Sequence, residues 1–223
     1  MVGYQLVPVQ KGFSAFTPTF KGIGNDLDLT TIEVCNANGE IISDMAEEIT
    51  IQLMDEGGYY RDTYGYWPDF GGWEVDMEPI EPGTVTFKPG YAVCVNNTWE
   101  GDGVIYLKVS GEVDLVNKNE IRRGFSFWGN STPVAVDLTE IDVVDKDGVI
   151  IADMAEEITL QVFDEGGYYR DTYAYWPDFG GWEVDMEALN KGDVIIQPGE
   201  SFCVNNTWES SASVWLKLPC PVK

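Results

Sequence analysis

Hydrophobic and polar residues alternate along much of this chain. Ile49, Ile51 and Leu53 alternate with Thr50, Gln52 and Met54, and Ile105, Leu107 and Val109 alternate with Tyr106, Lys108 and Ser110. A period of two puts every second side chain on one face of a half-buried strand. Short β-branched and aromatic runs recur between turn signals such as Asn38-Gly39, Gly57-Gly58, Gly71-Gly72, Pro82-Gly83 and Pro89-Gly90. The pattern predicts an all-β protein of sandwich, jelly-roll or barrel type. One helical exception is expected at residues 44–48. There Asp44 can serve as N-cap, with Glu47 three residues on, for a single turn that recurs at 153–157.

The strand pattern occurs twice. Leu29 falls on Leu138, an offset of 109 residues, and the same offset carries Cys94 onto Cys203 and Pro89-Gly90 onto Pro198-Gly199. The segment 55–77 recurs at 164–186 with one change, Gly65 to Ala174. The stretches before Leu29 and Leu138 match poorly. The reading is an internal duplication into two tandem, similar β-sandwich (jelly-roll-like) or barrel domains, residues 1–111 and 112–223, each large enough to bury its own core. They are expected to pack side by side, by a pseudo-two-fold or a translation.

Composition narrows the chemistry. The formal net charge is −25, from 38 acidic and 13 basic residues. Such a field repels nucleic-acid phosphates and anionic lipid heads, and it suits a soluble, repulsive surface. No stretch is long and apolar enough for a membrane span. No basic, apolar leader precedes Met1-Val2-Gly3, and a mature secreted chain is the expectation. The chain has no histidine, which removes Ser-His-Asp and Cys-His nucleophile systems and histidine-ligated metals. No phosphate-cradling loop is present. No catalytic residue is therefore expected. Cys94 and Cys203 sit at equivalent places in apolar strands and read as buried thiols. Cys35 and Cys220 have no counterparts, and a bridge between them is open to the sequence.

The aromatic segment carries the most information. Tyr59, Tyr66, Trp67, Asp69 and Trp73, with twins Tyr168, Tyr175, Trp176, Asp178 and Trp182, combine flat rings with carboxylates. Such a set can stack on sugar rings and bond hydroxyls, or anchor a protein interface. The competing reading places half of these rings in the core, because Tyr64 and Tyr66 alternate like a strand face, and makes 67–73 a turn. Val95-Asn96-Asn97-Thr98-Trp99 reads first as an Asx-type turn, with Trp99 and Trp208 at the core edge. No cofactor is expected. Asp55-Glu56, or Asp62 with Asp69, offers oxygen ligands of the calcium type without EF-hand spacing, and a β-turn accounts for Asp145-Lys146-Asp147-Gly148 and its twin at Asn36.

In order along the copy stand a strand (50–55), glycines, a Tyr-x-Tyr segment, Gly72-Trp73, Pro89-Gly90 with an apolar strand to Val95, and Ser110-Gly111-Glu112-Val113. This order resembles a β-repeat of functionally uncharacterised secreted and surface proteins of anaerobic and related bacteria. The resemblance implies an extracellular or cell-surface setting and modular repetition, and no catalytic residue. The second copy departs at Pro219-Cys220-Pro221, where proline would end strand pairing. Two functions follow as expectations. The first is a non-catalytic structural or adhesive surface module that binds a protein partner, a second copy of itself included. The second is a carbohydrate-binding module that takes a surface glycan on the Tyr/Trp segment.

Overall fold

The protein was analysed as a computed structural model that describes residues 2–24, 26–54, 60–88, 90–113, 118–163, 169–210 and 213–219. It is all-β. Among the described residues the only helical pieces are single 3-10 turns, at Leu29–Thr31, Pro68–Phe70, Leu138–Glu140 and Pro177–Phe179. The sheets are antiparallel and open, so the barrel alternative is corrected: no strand order returns to its own first strand.

A six-stranded sheet runs in the order Gly12–Phe16, Val93–Asn97, Ile49–Met54, Tyr60–Trp67, Gly72–Val75, Glu78–Pro79. A second sheet is centred on Ile105–Val113, which pairs with Val2–Val9, with Glu33–Cys35 and, at its end, with Phe20–Lys21. That central strand runs unbroken through positions 111 and 112. Farther along the chain, the order Gly124–Gly129, Ser201–Asn206, Ile158–Phe163, Tyr169–Trp176, Gly181–Val184, Glu187–Ala188 repeats the first sheet strand for strand. Val214–Lys217, between Lys118–Ile121 and Asp142–Val144, repeats three strands of the second sheet.

The alternation read from sequence decides which faces are buried. Ile49, Ile51, Ile105, Leu107 and Val109 are all 1% exposed or less and meet in one apolar cluster drawn from both sheets. A separate cluster gathers Ile158, Leu160, Val214, Leu216 and Phe202. Each is seated on the same polar device. The Asp28 Oδ1 accepts from the Thr30 amide at 3.0 Å and its Oδ2 from the Gly83 amide at 2.6 Å. Asp137 repeats this with Thr139 and Gly192.

The expected helical turn at 44–48 does not form. Glu47 has φ of 59° and its amide donates to the Tyr66 carbonyl at 3.1 Å, so the backbone bonds to a neighbouring strand instead of its own preceding turn. Met45, just before it, drops into the core. Glu156 and Met154 do the same in the second copy. The Asp145 and Asn36 segments are turns, with Asp145 Oδ1 accepting from the Asp147 and Val149 amides and Asn36 Oδ1 from those of Asn38 and Glu40.

The segments ahead of Leu29 and Leu138 also correspond, at a different offset. Gly12 pairs with Asn97 and Gly124 pairs with Asn206, so Gly12 stands for Gly124 at an offset of 112. The connection between the second strand of the copy and its first 3-10 turn is therefore three residues shorter in the second copy (112 − 109). Asn130 ties that shorter connection down, donating to Val134 and Ile196 carbonyls at 2.8 and 3.0 Å.

Candidate functional site

Four rings of the aromatic segment face inward. Tyr66, Trp73, Tyr175 and Trp182 are each 5% exposed or less. The Trp73 Nε1 donates to the Ile32 carbonyl and the Trp182 Nε1 to the Ile141 carbonyl, both at 2.7 Å. Tyr66 meets Trp73 edge-on, with planes at 63°, and Tyr175 meets Trp182 at 64°. These rings are core pairs locked by a buried N–H bond, and no coplanar surface results. Trp67 and Trp176 are half-buried, each against an exposed Phe70 or Phe179, with Asp69 and Asp178 exposed on the same 3-10 turn. Tyr59 and Tyr168 lie outside the described residues, as do Asp55, Glu56 and Cys220. Cys35 is an unbridged, buried thiol; burial pushes it up, against the lowering effect of Lys108.

Asn97 closes an Asx turn, its Oδ1 accepting from the Trp99 amide at 3.0 Å, while its Nδ2 reaches the Val9 carbonyl. Asn206 and Trp208 match. Trp99 and Trp208 pack on the rims of their clusters.

Behind the aromatic turn lies a buried acid. Glu74 is 4% exposed and its Oε2 has no hydrogen-bond partner. Burial pushes its carboxyl up, reinforced by a hydrogen bond with Glu47. Gly65 makes room for this pair: a Cβ there would lie 2.8 Å from Glu74 Oε1 and 3.2 Å from Glu47 Cγ. The single change inside the repeated segment, Ala174, falls at this position beside Glu183. Among the described residues no group of three or more acidic, cysteine or histidine side chains is placed to hold a metal.

A concavity among the described residues lies where the two copies meet. The Thr17 amide donates to the Gly199 carbonyl at 2.8 Å, and the Gly129 amide donates to the Gly90 carbonyl at 3.0 Å. Thr17 is the equivalent of Gly129, and Gly90 of Gly199, so the contacts are reciprocal, as in an isologous interface about a two-fold axis. The equivalent positions 17 and 129 face one another across that axis. A Cβ on Gly129 would lie 2.5 Å from the Glu200 carbonyl and closer still to Thr17 Oγ1. One side chain fits there, and Thr17, fully buried, supplies it and bonds to Ser201 Oγ at 3.0 Å.

The two flanks of this seam are filled differently. On one, Tyr91 forms a β-bridge with Trp128 and their rings meet at 4.4 Å. On the other, Glu200 stands for Tyr91, Phe16 for Trp128 and Ala15 for Phe127. That flank forms a half-open cavity of about 300 Å³, lined by Val7, Val9, Ala15, Phe16, Phe163 and Glu200 among others. The Arg170 guanidinium closes on Glu200 Oε1 at 2.5 Å, and Glu200 Oε2 accepts from the Gln197 amide at 2.7 Å.

None of the cavity residues was a candidate from sequence. A signal existed in the recurrence of Gly-Phe-Ser at 12–14 and 124–126, which sets the offset that makes Ala15 the counterpart of Phe127. No protein-family model matches this sequence, no curated protein matches it, and no solved structure matches its fold.

Proposed function

We propose that this chain is a non-catalytic structural or adhesive module of the extracellular or cell-surface kind, made of two tandem β-sandwich repeats from an internal duplication and fused as a pseudo-dimer. The reciprocal seam is the observation that carries the reading. Backbone hydrogen bonds from Thr17 to Gly199 and from Gly129 to Gly90, with a side-chain bond at the axis, make the pair a stiff two-lobed body. The separate apolar clusters and the repeated strand order support duplication. The charge of −25 supports a dispersed, repulsive surface.

An isologous seam closes on itself and cannot propagate an array. Association with a protein partner, or with a second copy, would use the parts of the edge strands that lie away from the seam. Gly12–Phe16 and Gly124–Gly129 end their sheets; the seam takes up their C-terminal ends, and near their starts Phe13 and Phe125 are 61% and 55% exposed. The opposite edges, Glu78–Pro79 and Glu187–Ala188, are short and carry proline or acid, which discourages pairing. A sugar platform on the Tyr/Trp segment is not carried forward, because Tyr66, Trp73, Tyr175 and Trp182, four of its rings, are core residues.

Sedimentation over a hundredfold concentration range, on the wild type and on Phe13→Ser/Phe125→Ser, tests the adhesive reading together with capture on immobilised chain. Concentration-dependent self-capture abolished by the double variant supports association by these edges. A single monomeric species with no capture leaves a spacer with no adhesive role.

A further inference from the structure

We propose that the open flank of the seam is a binding site for a small planar aromatic molecule of phenol or indole type. The proposal does not depend on the adhesive reading. It stands on the occupied flank, which shows what this architecture holds when filled. There the Tyr91 ring lies edge-on to Trp128 at 4.4 Å, with Lys88 Nζ 6.0 Å from the ring centre. On the open flank the ring is replaced by Glu200, and Trp128 and Phe127 are replaced by the smaller Phe16 and Ala15. The large rings of the filled flank are absent here, and smaller or charged residues stand in their places.

The chemistry of the walls fits that class. Val7, Val9, Ala15, Phe16 and Phe163 supply apolar lining, against which a flat ring buries area. A volume of about 300 Å³ is at the lower end for small-molecule sites, enough for one substituted ring. At the rim the Arg170–Glu200 pair is internally neutralised. A neutral ligand is therefore favoured over an ion. Its hydroxyl or ring N–H has the side chains of Ser14, Gln197 and Ser201 in the same lining. Phe163 also stacks on Phe127 of its own copy at 5.9 Å, so one wall is braced from behind.

The test is titration of the full chain with 4-methylphenol and with indole, followed by methyl resonances of Val7, Val9, Ala15 and Val95. Cyclohexanol and methyl glucoside, of similar size but not planar, serve as comparators. Saturable shifts at those methyls are expected for the aromatic probes, and at least tenfold weaker binding in Ala15→Phe, which restores the counterpart of Phe127. Phe16→Trp is the second filling variant should Ala15→Phe fail to fold. Arg170→Gln is expected to weaken binding less than either. Absence of saturable shifts, equal binding by a filled variant, or equal response to cyclohexanol or methyl glucoside overturns the proposal.

Discussion

The two flanks of the seam are built from equivalent residues on equivalent strands, and one is packed while the other is hollow. Tyr91, Trp128 and Phe127 fill the first; Glu200, Phe16 and Ala15 leave the second open. The same inequality appears at the axis, where Thr17 occupies space that Gly129 vacates. At this axis the backbones lie so close that only one of the two equivalent positions has room for a side chain, so the centre is asymmetric. Once symmetry is broken at the axis, each flank is free to vary alone. Protection of the two equivalent cysteines follows from this. Cys203 is buried in the strand beside Phe127, whereas Cys94, beside Ala15, is half-buried.

Breaking the axis should have the largest effect. Gly129→Ala is expected to cost about 3 kcal/mol in urea unfolding, since its Cβ meets a side chain and a backbone carbonyl at once. Thr17→Gly in the same chain should recover part of that loss, leaving the contact with the Glu200 carbonyl. Next comes the filled flank: Tyr91→Ala should cost about 2 kcal/mol, from the lost ring pair and buried area, and Glu200→Ala clearly less. Thiol labelling under native conditions should run at least tenfold faster at Cys94 than at Cys203, about 1.4 kcal/mol in differential access; Ala15→Phe should slow it.

Two of the buried acids respond to pH with opposite sign. Glu74 holds its proton more tightly folded than unfolded, so its contribution to stability falls as pH rises from the ordinary carboxylate range through its raised value. Glu74→Gln should therefore raise stability by about 1 kcal/mol at mildly alkaline pH and change little in acid. A variant whose gain persists in acid would show that the proton is not the cause. Asp137 has the opposite sign. Burial alone would push it up, but hydrogen bonds from Thr139 and Gly192 outweigh that and hold it low, so its contribution is lost as pH falls through its depressed value. The smallest effect is expected for Gly65→Ala, within about 0.5 kcal/mol of neutral, because the atoms its Cβ would meet belong to the flexible Glu74 and Glu47 side chains, whose counterparts Glu183 and Glu156 already accommodate Ala174.

Much of the fold was legible along the chain. The alternation of Ile49, Ile51 and Leu53 and of Ile105, Leu107 and Val109 gave strands with the correct buried faces, and Asn97 announced its Asx turn. The helical turn at 44–48 was misread because its capping pattern says nothing of the strand carbonyl at Tyr66 that takes the Glu47 amide. The correspondence ahead of Leu29 was hidden by a three-residue difference in one connection, which shifts the register and leaves only Gly-Phe-Ser in common. The candidate site was less legible still. Arg170 and Glu200 lie thirty residues apart and Phe16 belongs to the other copy, so no local pattern joins them.

By itself the sequence determined the all-β class, the position of several turns and the residue types on the strand faces, because these depend on local periodicity and backbone preference. Only the tertiary structure decided that the aromatic segment turns inward, that the copies meet reciprocally at Thr17 and Gly129, and that one flank stays hollow. Those outcomes depend on which surfaces compete for the same volume, and that competition arises only once distant strands are brought together.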